Sequence, residues 1–514
     1  MKCYNRLLML TSGIFWLSIF TATAQDSIPV YRLSFDQAIE LMQQNSHIIK
    51  QAQYLKDEKL QSAKAAKGLY MPHIGVTASY MVLPEDLTLD LTPVRDAITP
   101  LYSALGNYGN FSGVPNPDPA TNQLMPVLPD NLSTQAVRGK LQEGLTTVQN
   151  GEWDKMIQKK QFGSVAATLQ WPLYAGGKIQ AANKVANIEK TEADEVMRQK
   201  VGEQTSELVE RYFGLCLANQ ALNVRQDVYN GMQRHLSDAE KMQKDGFIAN
   251  AEVLQAKLYH AQADRELKKA RRTAEILNEA LLNTLALESD TVIEPVTSLF
   301  FLDSIEAPEY FLALALQKNP QLLQVEGKKK LAAQNYKVQQ ADYFPTVAVQ
   351  GMYDIANKDL SPYAPEWMVG VGMKWTLFDG ASRSRKVKAA SFKEDQVNEI
   401  QEKAQTDIET QLFKLHHELN IYVEQLEALN SALTFANEYL RIREKAFHEE
   451  MSNATEVVDA RMALAQVRIE RLQAMYGYDL TLARLLQYAG IPEEFQSYRQ
   501  RPNAVMECYQ PIVK

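Results

Sequence analysis

The chain has 514 residues, 46% of them apolar and 23% charged, a composition that excludes a wholly disordered or collagen-like polymer. Its 62 acidic against 54 basic side chains leave a net charge of −8, so no nucleic-acid partner is expected, since binding one requires neutralising a run of phosphates. Three cysteines, Cys3, Cys216 and Cys508, are too few and too scattered for a disulfide framework or a thiolate metal site.

Residues 1–24 read as an export signal: Lys2 and Arg6, an apolar run from Leu7 to Phe20, then Ala22, Thr23 and Ala24 in a cleavage pattern. The mature chain is expected to begin at Gln25 with 52 basic against 62 acidic residues, a charge of −10, and without a lipid-bearing cysteine. No later stretch of 18 uninterrupted apolar residues offers a membrane helix. A membrane role therefore needs strands.

The mature chain repeats itself. SVAATLQWPLYAGG from Ser164 matches MVGVGMKWTLFDGA from Met368, and NAEVLQAKL from Asn250 matches ATEVVDARM from Ala454, both at an offset of 204. Upstream, LYMPHIGVTASY around Pro72 matches DYFPTVAVQGMY around Pro345 at an offset of 273, so the first half carries 69 extra residues. We place the first repeat at 25–305 and the second at 306–490, followed by a C-terminal tail at 491–514. Each has the order helix, strand, loop, strand, very long helix, turn, returning helix.

In the first repeat, strands are predicted at about 73–83 and 163–172. Ile74, Val76, Ala78, Tyr80 and Val82 alternate with small or polar residues, as do Val165, Ala167, Leu169 and Trp171. Between them lies 84–160, read as a long loop insertion because eight of the 20 prolines fall between Pro84 and Pro129. A long helix is predicted over 178–244, a tip turn at 245–250 and a return helix over 251–287. The second repeat has strands at about 346–354 and 367–376, a long helix over 382–448, a tip turn at 449–454 and a return helix over 455–489. Val369, Val371, Met373 and Trp375 continue the alternation.

A soluble half-buried sheet would alternate in the same way. Trp171, Trp367 and Trp375, three of the four mature tryptophans, sit near strand ends, where an aromatic girdle meets a bilayer interface. Together with the export signal they favour a membrane barrel. Four strands cannot close one, and open edges are not tolerated in lipid, so several chains must share it. At about 1.5 Å per residue the two 67-residue helices would each reach roughly 100 Å. Their narrow apolar stripes suit coiled-coil partners in water.

These segments resemble the outer membrane efflux protein family, the TolC-like outer-membrane factors. The resemblance runs from Leu33 to about Gly490. It rests on the strand-to-helix junctions WPLYAGGK and WTLFDGAS, on Pro72 and Pro345, on the tips GFIANAEVLQA and EMSNATEVVDA, and on the openings LSFDQAIELMQQNS and PEYFLALALQKNP. It implies a mainly α chain with a membrane β-barrel portion. Three chains, four strands each, would form a 12-stranded barrel continued by a long periplasmic α-helical barrel. The implied setting is the outer membrane of a Gram-negative type cell, in contact with outer-membrane lipid. The implied partners are a homotrimer, a periplasmic adaptor (membrane fusion protein) and an inner-membrane transporter.

At the junctions, Trp171, Gly176, Gly177, Trp375 and Gly380 are expected to be structural, glycine permitting the swing from strand to helix. Gly246, Phe247, Asn250, Met451, Ser452 and Asn453 are expected at the adaptor-facing tips, with Glu450 standing where the first tip has Gly246. Glu456 and Asp459 in EVVDA match both carboxylates of the family's D-x-x-D-A motif and are expected to form an acidic ring at a periplasmic constriction; the first repeat has Glu252 and Gln255 there. Glu456 would also complete a capping box with Asn453.

No enzyme, cofactor or metal is expected: no zinc-protease, nucleophile-elbow or phosphate-loop motif occurs. The adjacent pair His416 and His417 points in different directions on a helix, and Cys216 reads as a packed thiol. The expected function is the outer-membrane channel of a tripartite efflux system for small molecules. Export of a protein (type I secretion) or a polysaccharide, and a trimeric surface adhesin or coiled-coil scaffold, remain open alternatives.

Overall fold

The computed structural model describes residues 30–288, 291–449, 451 and 453–507; the segment expected to be an export signal, Glu450, Ser452 and the tail from 508 lie outside them. In chain order the elements are β1 (Val30–Leu33), α1 (Phe35–Asn45), α2 (His47–Lys67), β2 (His73–Val82), β3 (Leu87–Asp90), α3 (Thr92–Tyr108), α4 (Asp130–Asn150), β4 (Asp154–Gln158), β5 (Gln161–Ala175), α5 (Lys178–Lys244) and α6 (Asn250–Leu285). There follow β6 (Val292–Pro295), β7 (Leu299–Leu302), α7 (Pro308–Lys318), α8 (Pro320–Ala341), β8 (Thr346–Lys358), β9 (Trp367–Lys374), α9 (Ser382–His448), α10 (Ala454–Ala489), α11 (Phe495–Arg499) and β10 (Ala504–Glu507).

The repeat is carried into the element lengths: α5 and α9 have 67 residues each, α6 and α10 have 36 each, and both pairs stand 204 residues apart. The 273 offset recurs where a helix is broken and restarted. Ser46 interrupts α1 and α2, and Asn319 interrupts α7 and α8. The Asn319 carboxamide oxygen accepts the backbone N–H groups of Gln321 and Leu322 at 2.8 and 3.1 Å, and its amide donates to the Tyr488 carbonyl at 2.7 Å. Such a side chain satisfies donors that a helix start leaves bare.

The chain folds as two compact units, one comprising residues up to 60, 188–330 and from 395 on, the other 61–187 and 331–394. In the first unit the rings of Phe35, Tyr212, Phe213, Phe300 and Phe495 form a cluster with centroids 5.2 to 5.9 Å apart. The Tyr212 hydroxyl donates to the Leu33 carbonyl at 2.6 Å and accepts from the Thr297 N–H at 3.0 Å, so the ring buries its polar tip satisfied. Two small sheets cover this core: β1 runs parallel to β6, and β10 antiparallel to β7. The segment joining the repeats and the tail, which the sequence left without structure, thus hold strands. Four-residue strands are too short to show a period.

The second unit holds a four-stranded antiparallel sheet of order β2-β5-β8-β9. The insertion at 84–160 departs from the expected loop: β3 pairs with β4, and α3 and α4 form a helix pair. Its prolines mislead because two of them begin helices, Pro93 in the first turn of α3 and Pro129 just before α4. Proline's missing N–H costs nothing there.

Candidate functional site

In the sheet, alternation turns into two chemically distinct faces. Cross-strand register puts Ile74 beside Leu169 and Gly351 beside Val369; Trp171 lies beside Val349, and Val349 beside Val371. On the outer strands these apolar side chains have little cover among the described residues, Ile74 being 77% exposed and Val371 68%, while Leu169 and Val349 on the inner strands are half-buried. The opposite face carries Thr77, Ser79, Ser164 and Gln350, with the Ser79 and Ser164 hydroxyls 3.1 Å apart. β2 and β9 are edge strands in this chain, each paired on one side. Their outer N–H and C=O groups could not remain bare in lipid.

At each strand-to-helix junction an indole pins the chain. Trp171 donates its N–H to the Tyr70 carbonyl at 3.0 Å, and Trp375 to the Tyr343 carbonyl at 3.1 Å. The two tryptophans are 204 residues apart and the two tyrosines 273, so both repeat offsets meet in one contact. Trp171 lies inside β5 rather than at its end, because β5 runs on to Ala175 along β8 while β2 stops pairing at Gln170. Pro172 therefore falls where one side needs no donor, beside a register shift. The backbone then swings through Gly176 and Gly177 at φ +64° and +95°, and through Gly380 and Ala381 at +66° and +65°. Ala381 occupies a conformation that costs an L-residue about 1 kcal/mol.

Sequence reasoning missed Arg383. Its guanidinium donates to the carbonyls of Asp342, Thr376 and Leu377 at 3.2, 2.6 and 3.0 Å and to the Asp379 carboxylate at 3.2 Å, and it lies over the Tyr343 ring. A single arginine in the first turn of a long helix has no spacing signature to find it by.

The tips belong to the first unit. α5 ends on Gly246 at φ +83°, where its N–H donates to the Gln243 carbonyl at 3.0 Å and that of Phe247 to Met242 at 2.9 Å. Phe247 is 77% exposed, while Ile248 packs with Leu236, Ala239, Val253 and Ala256. Asn250, which opens α6, accepts from the Gln243 amide at 3.1 Å. In the second tip the exposed Met451 donates its N–H to Ala446 at 2.8 Å, and Asn453 caps α10 by accepting the Glu456 N–H at 2.9 Å. Ser452 and Glu450 lie outside the described residues.

Glu456 and Asp459 differ in surroundings. The Glu456 carboxylate is paired with Arg443 at 2.6 Å, whereas Asp459 is exposed and has no ion pair among the described residues. The charge each chain offers here is thus weighted toward Asp459. One turn further on, Arg461 pairs with Glu444 and fills the space left by Gly231, where an added Cβ would meet its side chain at 2.7 Å. Burial draws the Arg461 guanidinium below its usual pKa, partly offset by Glu444, and burial likewise lowers His235. The corresponding pair in the first repeat is Lys257 and Glu240 at 3.6 Å. Opposite charges 17 residues apart in both repeats were the signal that could have revealed it.

Cys216 is buried, with its thiol 3.7 Å from the Thr297 carbonyl. His416 lies 3.1 Å from the Glu306 carbonyl and its ring stands at 85° to that of His417. No cluster able to hold a metal occurs among the described residues.

The family model described as outer membrane efflux protein matches residues 145–286 and 311–491, more than half of the chain. The chain is 25% identical to protein CyaE of Bordetella pertussis over 239 residues, 44% of this chain and 49% of that one. It is 23% identical to outer membrane protein TolC of Vibrio cholerae over 196 residues, 37% and 45% of the two. It thus spans about half the length of the curated relatives it matches. Among solved structures, the outer membrane protein VceC of Vibrio cholerae superposes with a TM-score of 0.64 at 14% identity, covering 89% of this chain and 96% of that one. A membrane protein from Pseudomonas aeruginosa does so with a TM-score of 0.66 at 12% identity, covering 89% and 90%. With both repeats matched and the TolC-like fold present from strand sheet to helix tips, this outer-membrane chain belongs to the outer membrane efflux protein family.

Proposed function

We propose that the protein is the outer-membrane channel of a tripartite efflux system. Three copies close a 12-stranded barrel, the long helices line a periplasmic tunnel, and the tips meet a periplasmic adaptor coupled to an inner-membrane transporter. The supporting observation is the sheet: four strands with one apolar face and both edges unpaired among the described residues. Such a sheet is stable in lipid only when copies complete each other's edges. The channel acts passively: it supplies a watery path walled off from the bilayer, while the transporter supplies the energy and chooses the cargo.

At the tips, Gly246, Phe247, Asn250, Met451, Ser452 and Asn453 face the adaptor. Glu456 and Asp459 form the acidic constriction, with Asp459 the dominant charge because Arg443 neutralises Glu456. The test is purification from the outer membrane followed by mass measurement and planar-bilayer recording. A conducting trimer is expected, with Asp459→Ala lowering cation selectivity and Phe247→Cys crosslinking to an adaptor. A monomer, or a trimer without conductance, would overturn the channel. Accumulation of a small-molecule efflux dye in a deletion strain is expected; normal dye export with loss of a secreted protein would move the cargo to protein.

A further inference from the structure

The repeat breaks off at one strand. β5 and β9 are counterparts at the offset of 204, and β2 and β8 at the offset of 273, so the sheet β2-β5-β8-β9 is one strand pair used twice. β5 has 15 residues and pairs with β8 through Ala175, opposite Thr346, well past Gln170, where its pairing with β2 ends. β9 has 8 residues and ends at Lys374, the counterpart of Gln170. Residues 375–379 beyond it form no strand, although WTLFD there repeats the WPLYA of β5.

The difference is one of neighbours. β5 keeps strand geometry beyond Gln170 because β8 lies on its other side, whereas β9 has no strand on that side among the described residues. Its apolar side chains are correspondingly bare. Phe378 is 85% exposed against 41% for its counterpart Tyr174, and Leu377 75% against 52% for Leu173. The segment is nonetheless positioned from within the chain, Trp375 donating to the Tyr343 carbonyl and Arg383 to the carbonyls of Thr376 and Leu377. What it lacks is a strand to pair with. β2 is bare on the opposite edge of the sheet, where Ile74 is exposed. Backbone groups at such edges need strand partners in lipid.

We propose that residues 375–379 are an assembly-dependent strand, which continues β9 by pairing with the start of β2 in a second copy of the chain. The proposal rests on the trimeric channel reading above and adds the register of its seam. The occupant follows from the repeat: β5 against β8 is the seam between the two repeats, and β9 against the β2 of the next copy is that seam once more. Like edges pairing with each other would have no counterpart in the sheet. Trp171 lies opposite Val349, Tyr174 opposite Val347 and Ala175 opposite Thr346. Carried over by the two offsets, these set Trp375 opposite Val76, Phe378 opposite Ile74 and Asp379 opposite His73 of the next copy. The exposed Phe378 and Ile74 side chains then cover each other. A head-to-tail contact of this kind, repeated about a three-fold axis, closes into a ring and leaves no edge.

The experiment uses the full-length protein in outer membranes, in a background without its native cysteines. Ile74→Cys combined with Phe378→Cys is compared, under mild oxidation, with Ala78→Cys combined with Phe378→Cys, which moves one cysteine further along the same face of β2. Two strands separate β2 from β9 within one chain, so at about 4.8 Å per strand step a disulfide between them is out of reach and any crosslink reports a second copy. Mass measurement in detergent reports trimer formation independently, and amide hydrogen exchange of the unsubstituted protein reports backbone pairing. The expected result is covalent trimers from the Ile74→Cys pair, none from the Ala78→Cys pair, and exchange over 375–379 as slow as over 171–175. An intact trimer without the first crosslink, or with fast exchange over 375–379, would overturn the proposal and leave the channel standing. So would equal crosslinking through both pairs, which means a seam without a fixed register. Absence of any trimer would overturn the channel reading first and the proposal with it.

Discussion

The two repeats build the same helical hairpin but fasten it differently. In the first, the tip turns on Gly246, α6 starts at Ala249 with only the Glu252 carboxylate reaching back to its N–H at 3.1 Å, and the cross-hairpin pair Lys257–Glu240 is half exposed on both sides. In the second, Asn453 caps α10, Arg443 holds Glu456, and Arg461, only 13% exposed, reaches Glu444 against the surface of α5. Exposed pairs contribute little because water and salt already satisfy both partners, whereas a sheltered arginine leaves an unpaired charge if its partner goes. The second hairpin is therefore the stiffer of the two. The left-handed positions are exchanged in the same spirit. At the junctions Gly177 corresponds to Ala381 in the repeat, and at the ends of the return helices Ala286, at φ +52°, corresponds to Gly490, at +80°.

The exchange of glycine and alanine gives the largest expected effect. An alanine at 490 would place its Cβ 2.6 Å from the backbone of Lys318, so Gly490→Ala is expected to destabilise by about 3 kcal/mol or more, while Ala286→Gly stabilises by about 1 kcal/mol. Denaturation of the detergent-solubilised protein followed by circular dichroism measures both. Equal and small effects would mean that the two helix ends are interchangeable.

The junctions differ next. Arg383→Ala removes one ionic and three carbonyl hydrogen bonds and should cost about 3 kcal/mol, whereas Ile179→Ala, at the equivalent place in the first turn of α5, should cost about 1 kcal/mol. Denaturation midpoints of the two variants would expose a junction that does not depend on Arg383. In the tips, Arg461→Met should cost about 2 kcal/mol and Lys257→Met no more than about 0.5 kcal/mol. Comparable losses would erase the stiffness difference. Ala381→Gly should gain about 1 kcal/mol by relieving its left-handed backbone, and thermal unfolding in detergent resolves a change of that size.

The last contrast vanishes in acid. Asp479 is fully buried, with one carboxylate oxygen near the Phe300 N–H at 3.4 Å, while its counterpart Glu275 is paired with Arg272 at 2.6 Å in solvent. Burial raises the Asp479 pKa well above its usual value, outweighing the Phe300 hydrogen bond and the charge of Arg499. A carboxyl whose folded pKa is raised stabilises the fold fully below its unfolded pKa, near about pH 4, and that contribution is lost as the pH climbs toward the folded value. Asp479→Asn should therefore leave acid stability unchanged and raise neutral stability, while Glu275→Gln does neither. Unfolding midpoints measured across pH test this: a difference between Asp479→Asn and the parent chain that does not grow from acid to neutral pH would show that Asp479 titrates alike in the folded and unfolded chain and would overturn the reading.

How much of this could be read from the residues depends on how local the cause is. Strand faces, helix lengths and hairpin tips follow from periods and from an exact repeat of spacing, which every residue in a segment reports. The glycines at 176, 177 and 380 were legible for the same reason: backbone geometry at a junction is set within a few residues. The insertion was misread because proline marks helix starts as readily as loops, and only the pairing of α3 with α4 distinguishes the two.

Composition, repeat and periodicity alone determined a chain of two matched hairpins, each attached to two half-apolar strands, too few to close a barrel. Tertiary structure decided what lies far apart in the chain. β1 finds β6 across 262 residues, the tail returns to β7, and the Tyr212 hydroxyl joins Leu33 to Thr297. It also decided which charges matter, burying Asp479 and sheltering Arg461 while leaving Glu275 and Lys257 in water. The repeat places these residues at equivalent positions, but burial is a property of neighbours, and the energy of a charge follows its neighbours rather than its place in the sequence.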